Sequence, residues 1–175
     1  MGPSDAELIA RVIAGDDRHA FAALVRRHQS SVRSLLRRLC AGDVALADDL
    51  AQDTFVRMWK GLRSWRGGAR FSTWLHRIAV NVWLSHARRS APPDPEMAEA
   101  ASGSSGAVEA RRDLERAFAF LRPEERLALA LAYAQDLTHE EAAEAAGWPV
   151  GTLKSHLLRG KEKLRRRLVL EEGTA

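Results

Sequence analysis

Cysteine is almost absent: Cys40 is the only one in 175 residues, which excludes an internal disulfide and any Cys-based zinc site. The fold must therefore rest on packing. Long apolar runs are missing too, the longest being the eight residues Leu127 to Ala134, far short of the roughly 18 that a membrane helix needs. The N-terminal Met-Gly-Pro-Ser-Asp-Ala-Glu lacks the basic and apolar segments of a signal peptide, so the chain is expected to be cytoplasmic, with no direct membrane insertion. The apolar/polar alternation of a β-strand occurs nowhere at useful length. Phosphate-cradling glycine loops, a nucleophile elbow and carboxylates partnered for acid–base chemistry are all lacking, which predicts no catalytic residue and no enzymatic activity. His139-Glu140-Glu141-Ala142-Ala143 begins like a zinc-protease helix but places Ala143 where the second histidine must stand. His28, His76 and His86 are not spaced as a metal cluster, and no metal or cofactor is expected.

What the chain does have is 46% apolar and 29% charged residues, the balance of a soluble globular protein of one or two small domains. The net charge of +4 is unevenly spread. Residues 1–90 carry 15 Lys/Arg against 8 Asp/Glu, a balance of +7; residues 91–110 carry none against 4, or −4; residues 111–175 carry 12 against 11, or +1. Within that last part, residues 145–175 hold 7 basic and 3 acidic side chains, while residues 111–144 hold 5 and 8. Two basic territories around an acidic stretch predict two contacts with a polyanion, of which nucleic acid is the commonest in the cytoplasm.

Ala91-Pro92-Pro93-Asp94-Pro95 and Ala101-Ser102-Gly103-Ser104-Ser105-Gly106 join helix-stopping prolines to a Gly/Ser tract, so residues 91–110 read as a flexible linker between a domain over 1–90 and another over 111–175. Ahead of it the pattern is helical. Ser4-x-x-Glu7 forms a capping box, and Leu8, Ile9, Val12 and Ile13 give a short stripe before Gly15-Asp16-Asp17. Phe21, Leu24, Val25, Val32, Leu35, Leu36 and Leu39 mark a longer helix ending at Gly42-Asp43, and a third runs from about Leu46 to Leu62. After Gly67-Gly68, Ser72 is expected to cap a fourth, reaching Arg89. Beyond the linker, Leu114, Ala117, Phe118 and Leu121 mark one helix and Pro123-Glu124-Glu125 opens another. Thr138-x-x-Glu141 is a second capping box, starting a short helix that stops at Gly147, and Pro149 opens a final helix to about Leu168. The expected fold is all-α: a helical bundle, then a short helix, glycine turn and longer basic helix in helix-turn-helix order.

Three groups of residues carry candidate chemistry. On the final helix Leu153, Leu157, Leu164 and Leu168 share one side, while Thr152, Ser155, His156, Arg159 and Lys163 share the other. Lys154, Lys161 and Arg165 to Arg167 flank the polar side and suit phosphates. This face is either a reader of bases or a solvated basic surface, and the preceding capping box and glycine turn favour reading. The helix from Leu46 instead shows Asp49, Gln52 and Asp53 at i, i+3, i+4 with Asp48 beside them, which fits helix-dipole stabilisation or a basic protein partner equally. Between the third and fourth helices, Ser64-Trp65-Arg66-Gly67-Gly68-Ala69-Arg70-Phe71 combines aromatics, arginines and a glycine pair, either to hold an unstacked base or, for Phe71 above all, to anchor the loop. Cys40, four residues after Leu36, reads as a core thiol, and Trp83 and Trp148 read as packing residues.

Ala47-Asp48-Asp49-Leu50-Ala51-Gln52-Asp53-Thr54-Phe55, Trp65-Arg66-Gly67 with Phe71 to Asn81, and Val150-Gly151-Thr152-Leu153-Lys154-Ser155 together resemble bacterial extracytoplasmic-function sigma factors, in order and spacing, over nearly the whole chain outside the linker. The resemblance implies an alternative sigma subunit with regions 2 and 4 only. It implies that Asp48, Asp49, Gln52 and Asp53 dock on the clamp coiled coil of the large subunit of core RNA polymerase. Trp65, Arg66, Gly67, Arg70, His76, Arg77 and Asn81 are then the residues that recognise and open the −10 element of promoter DNA. Thr152, Lys154, Ser155, His156, Arg159 and Lys163 read the −35 element, and an anti-sigma factor is a further expected partner. His156 and Leu158 depart from the residues usual in the family, and Gly160 stands where alanine is common, at a cost of about 1 kcal/mol in a helix interior. A free-standing helix-turn-helix regulator and a purely protein-binding helical module are the competing readings. A stand-alone regulator has no need of the acidic face at Asp49 or of the aromatic–glycine loop.

Overall fold

The computed structural model describes residues 2–90, 118, 120–133 and 137–172. Every regular element among them is helical: α1 (Asp5–Gly15), α2 (Arg18–Leu39), α3 (Val44–Gly61), a 3-10 turn (Leu62–Ser64), α4 (Phe71–Ser90), α5 (Pro123–Ala132), α6 (His139–Ala146) and α7 (Val150–Glu172). The linker expected at 91–110, and Leu114 and Ala117 of the helix expected after it, lie outside the described residues. Phe118 and Leu121 from the same stripe are buried.

Local chemistry sets most helix ends. Ser4 and Glu7 close the expected capping box of α1, and Asp16 then leaves the helix in the left-handed region (φ 49°). Asp17 starts α2 by accepting from the His19 and Ala20 N–H groups. Ala41 (φ 50°) and Gly42 (φ 88°) reverse the chain. Asp43 then caps α3 by accepting from Leu46 N–H, so α3 begins two residues before Leu46. Thr138 and Glu141 close the second box, and Gly147 (φ 71°) ends α6 as the sequence predicts. Ser72 does not cap α4. The helix has begun at Phe71, and Ser72 lies buried in its first turn, where its carbonyl accepts from His76 Nδ1 at 2.7 Å. The final helix continues past Leu168 to Glu172.

In the first half, α2 packs against α1, α3 and α4, with Leu24, Leu35, Leu36 and Leu39 fully enclosed. In the second, α5 lies against α6 and α7. Gly160 of α7 has a specific reason here: a Cβ on it would stand 2.7 Å from Leu129 Cδ1, so the glycine lets the two helices approach closely. The halves are not held apart. One core runs through both, with α5 against α2 and α6 against α4.

Candidate functional site

Along α3 the apolar residues Ala47, Leu50, Ala51 and Met58 face the core with Thr54, whose hydroxyl donates to the Leu50 carbonyl, and this turns Asp49 and Gln52 outward. Val56, one turn further along, is 48% exposed on that side. Asp53 is partnered along the helix by Arg57 at 3.1 Å. Asp48 differs from its neighbours: it turns back to α2, 3.4 Å from Arg33 and 3.9 Å from Arg37. The outward acidic face is thus Asp49, Gln52 and Asp53, and Asp48 fastens it to the bundle.

The loop after α3 is built around Phe71, which is 4% exposed and ringed by Trp65 (5.7 Å), Trp74 (5.5 Å) and His28 (5.2 Å). Phe71 is an anchor. Trp65 lies half-buried across it and donates its indole N–H to the Ala69 carbonyl at 3.2 Å, closing the loop on itself. Gly67 has φ 75°, a conformation that a side chain would strain. Trp65, Arg66, Gly68, Ala69, Trp74 and Arg77 line a cleft of about 110 Å³, and Glu144 of α6 closes one side of it. Arg66, Arg70, Arg77 and Asn81 are exposed. Asn81 lies one turn beyond Arg77, and its carbonyl accepts from Ser85 Oγ.

His76 does not join this group. It is 1% exposed; Nδ1 donates to the Ser72 carbonyl, and Nε2 is hydrogen-bonded to Ser31 Oγ of α2 at 3.0 Å. The expectation that His76 touches DNA is corrected: position i+5 from Phe71 points into the bundle, where the imidazole joins α4 to α2.

On α7, Leu153 and Leu157 are buried while Lys154, Ser155 and Arg159 are exposed. Ser155 Oγ donates to the Gly151 carbonyl at 2.9 Å. Thr152 is half-buried, and so is His156, whose ring lies 5.0 Å from that of Trp148. Lys163 shares the helical face but not the role read for it: Nζ reaches back to Glu125 of α5 at 2.8 Å. Burial alone would raise the Glu125 carboxyl, but the Lys163 hydrogen bond, with help from the Arg122 N–H, holds it below the usual range. That pairing sets Lys163 apart from the five residues ahead of it.

Sequence reasoning missed the residues that join the halves. Arg126 of α5 is largely enclosed and donates to the Leu39 carbonyl at the end of α2 (3.2 Å). Arg38 of α2 donates in turn to the Tyr133 carbonyl at the end of α5 (2.9 Å). Each arginine satisfies a carbonyl at the other helix's C-terminus, where a cation is favoured by the dipole. At the far edge of the contact, Glu141 accepts from Thr73 Oγ1 at 3.3 Å and lies 3.5 Å from Arg70. The Thr138 N–H, and then Arg70, hold the Glu141 carboxyl below its ordinary range. These partners are 68 to 95 residues apart in the chain, beyond the reach of any spacing rule. Cys40 sits by this contact, its thiol pushed up to about 12 by burial and by Asp43.

No helix among the described residues is long and apolar enough to cross a membrane. Residues 24–92 match the family model of Sigma-70 region 2, and residues 111–164 match that of Sigma-70 region 4. The chain is 33% identical over 180 residues to the ECF RNA polymerase sigma-E factor of Salmonella typhi, with 92% of each protein covered. It is 35% identical over 179 residues to the RNA polymerase sigma-H factor of Pseudomonas aeruginosa, with 91% of each covered. Its fold is similar to that of CnrH in complex with the cytosolic domain of CnrY (TM-score 0.73, 24% identity, 95% of this chain and 97% of that one). It is also similar to the sigma factor RpoE of Bartonella quintana in complex with the anti-sigma factor NepR (TM-score 0.69, 24% identity, 85% and 96%). Full-length relatedness through both regions is that of a polymerase subunit, not of a free-standing regulator: the chain belongs to the extracytoplasmic-function family of RNA polymerase sigma factors.

Proposed function

We propose that this sigma factor divides its work between a region 2 domain over residues 1–90 and a region 4 domain over residues 111–175, joined by the acidic linker 91–110. Asp49, Gln52 and Asp53, with Asp48 fixing their helix, form the contact with the clamp coiled coil of core RNA polymerase. Trp65, Arg66, Gly67, Arg70, Arg77 and Asn81 open the −10 element by capturing an unstacked base of one strand, and His76 contributes by holding α4 in place. Base capture draws the duplex equilibrium toward the open state without nucleotide hydrolysis, so the protein has no catalytic residue of its own. Thr152, Lys154, Ser155, His156 and Arg159 read the −35 element from the major groove. The place of action is the cytoplasm, and an anti-sigma factor, as the Bartonella relative has, is the regulatory partner.

One observation carries this reading: an outward acidic face on α3 and a cleft of aromatics and arginines occupy the same small bundle. A duplex-binding regulator needs neither. The test is reconstituted transcription with core polymerase and a library of genomic promoters, in which this chain should initiate from a defined subset. Replacing Asp49 and Asp53 together by lysine should abolish polymerase binding in a pull-down while the full chain keeps its affinity for −35 duplex. Loss of both activities together, with the fold intact by circular dichroism, would reject the division of labour.

A further inference from the structure

The turn between α6 and α7 places an indole as well as redirecting the chain. Gly147, in the left-handed region (φ 71°), sends Trp148 back over the end of α6, where its N–H donates to the Ala143 carbonyl at 2.9 Å and its side chain packs on the core. That indole lies against the His156 ring of α7, with 5.0 Å between centroids and a tilt of 42°. One side of the imidazole is thereby enclosed. Nδ1 is buried with no hydrogen-bond partner among the described residues, whereas Nε2 is neither buried nor bonded. A proton on Nδ1 would be an enclosed donor without an acceptor, an arrangement that folded proteins avoid, so the ring carries its proton on Nε2. Ser155, next to it, commits its hydroxyl proton to the Gly151 carbonyl and presents an acceptor. Lys154 and Arg159 are exposed on long, flexible stems, while His156 is short and braced.

We infer that His156 reads one purine of the −35 element by donating a single hydrogen bond from Nε2 to the purine N7, and that Trp148 is the residue that positions it. This rests on the reading of α7 as the −35 helix. In the major groove N7 is an acceptor that guanine and adenine share and that both pyrimidines lack. One fixed N–H therefore takes either purine and disfavours cytosine, whose amino group is itself a donor. An arginine in the same place would grip N7 and O6 of guanine together and so separate guanine from adenine. Rigidity matters because a lone hydrogen bond discriminates only when the ring cannot swing to a neighbouring acceptor or to a phosphate. The indole restricts that swing and lowers the ordering cost of the contact.

The test uses holoenzyme assembled from core polymerase and the full chain. Promoters that it selects from a pool randomised across the upstream element should show one position at which adenine and guanine are enriched alike. His156→Ala should flatten that position, and His156→Arg should narrow it to guanine. Trp148→Leu, which keeps apolar bulk but lacks a ring, should flatten the same position and leave its neighbours, and Trp148→Phe should restore it. On a selected promoter, the 7-deaza analogue of that purine, with C–H in place of N7, should weaken binding about 5-fold, the low end for a good base contact. The same exchange should leave binding by His156→Ala holoenzyme unchanged. A 7-deaza penalty that persists without the histidine, or a His156→Ala effect spread evenly over all positions as a phosphate contact gives, overturns the assignment. Purine selectivity that survives Trp148→Leu overturns the positioning role. Upstream selectivity untouched by both His156→Ala and Arg159→Ala instead overturns the reading of α7 as the −35 helix.

Discussion

The two surfaces proposed to meet DNA are built in opposite ways. The proposed −35 surface is one side of a single helix. Once α7 forms and its leucines find α5, Lys154, Ser155 and Arg159 face outward together with no further arrangement. The proposed −10 surface has no such economy of parts. It needs a 3-10 turn, a glycine in the left-handed region, an indole closing the loop on Ala69, a buried phenylalanine under it and a buried histidine tying α4 to α2. A duplex presents its base edges to a rod laid in the groove, whereas an unstacked base requires a shaped recess. The difference teaches that the first surface depends on local helix chemistry and the second on the whole bundle.

Substitutions under each surface should separate the two dependences. The largest effect is expected for Phe71→Ala, which empties the centre of an aromatic cluster and should cost about 3–5 kcal/mol in chemical unfolding. Binding of the full chain to a −35 duplex should survive this change, and loss of both surfaces would show them to be one cooperative unit. His76→Ala comes next. Removing the ring takes a second donor from the Ser72 carbonyl and the partner from the Ser31 hydroxyl, for a loss of about 1–3 kcal/mol in the same assay. A variant that keeps its stability but loses promoter opening would return His76 to the DNA-contacting set.

Under the other surface, Lys163→Met should leave the buried Glu125 carboxylate with fewer partners and lower stability near neutral pH by about 1–2 kcal/mol, discounted because the lysine is half-exposed. The pH dependence has a definite sign. A carboxyl held below 4.5 in the folded state contributes stability that is present above that value and is lost as pH falls through its lowered folded value. With Lys163 gone the folded value rises, so the acid-unfolding limb should move to higher pH. The smallest effect belongs to Gly160→Ala: about 1 kcal/mol is gained in helix propensity, against about 1–3 lost in pushing Leu129 aside. The net is a loss of no more than about 2 kcal/mol in thermal unfolding, and a stabilised variant would mean that α5 and α7 do not approach so closely.

Much of this was legible along the chain because the controlling interactions are local. The capping boxes at Ser4 and Thr138, the turn at Gly147 and the apolar sides of α2 and α7 depend on residues three or four apart, and they form where the spacing puts them. Errors arose where a longer-range contact competed. Ser72 looked like a cap, but Phe71 was drawn into the core and carried the helix start with it. His76 and Lys163 sat at plausible reading positions, yet one turned inward to Ser31 and the other bent back to Glu125. Gly160 looked like a flaw in a helix until Leu129 came up against it.

The sequence alone determined the all-helical architecture, the order of the helices and, through the Asp49, Trp65–Phe71 and Thr152–Ser155 motifs, the membership in the sigma family, because helix periodicity, caps and motif spacing are properties of neighbouring residues. Only the tertiary structure decided which of the motif residues face outward. It alone brought Arg38 to Tyr133, Arg126 to Leu39 and Glu141 to Arg70. Those contacts arise from how two buried faces meet, and packing of that kind is specified by shape and volume summed over the whole core rather than by any pattern along the chain.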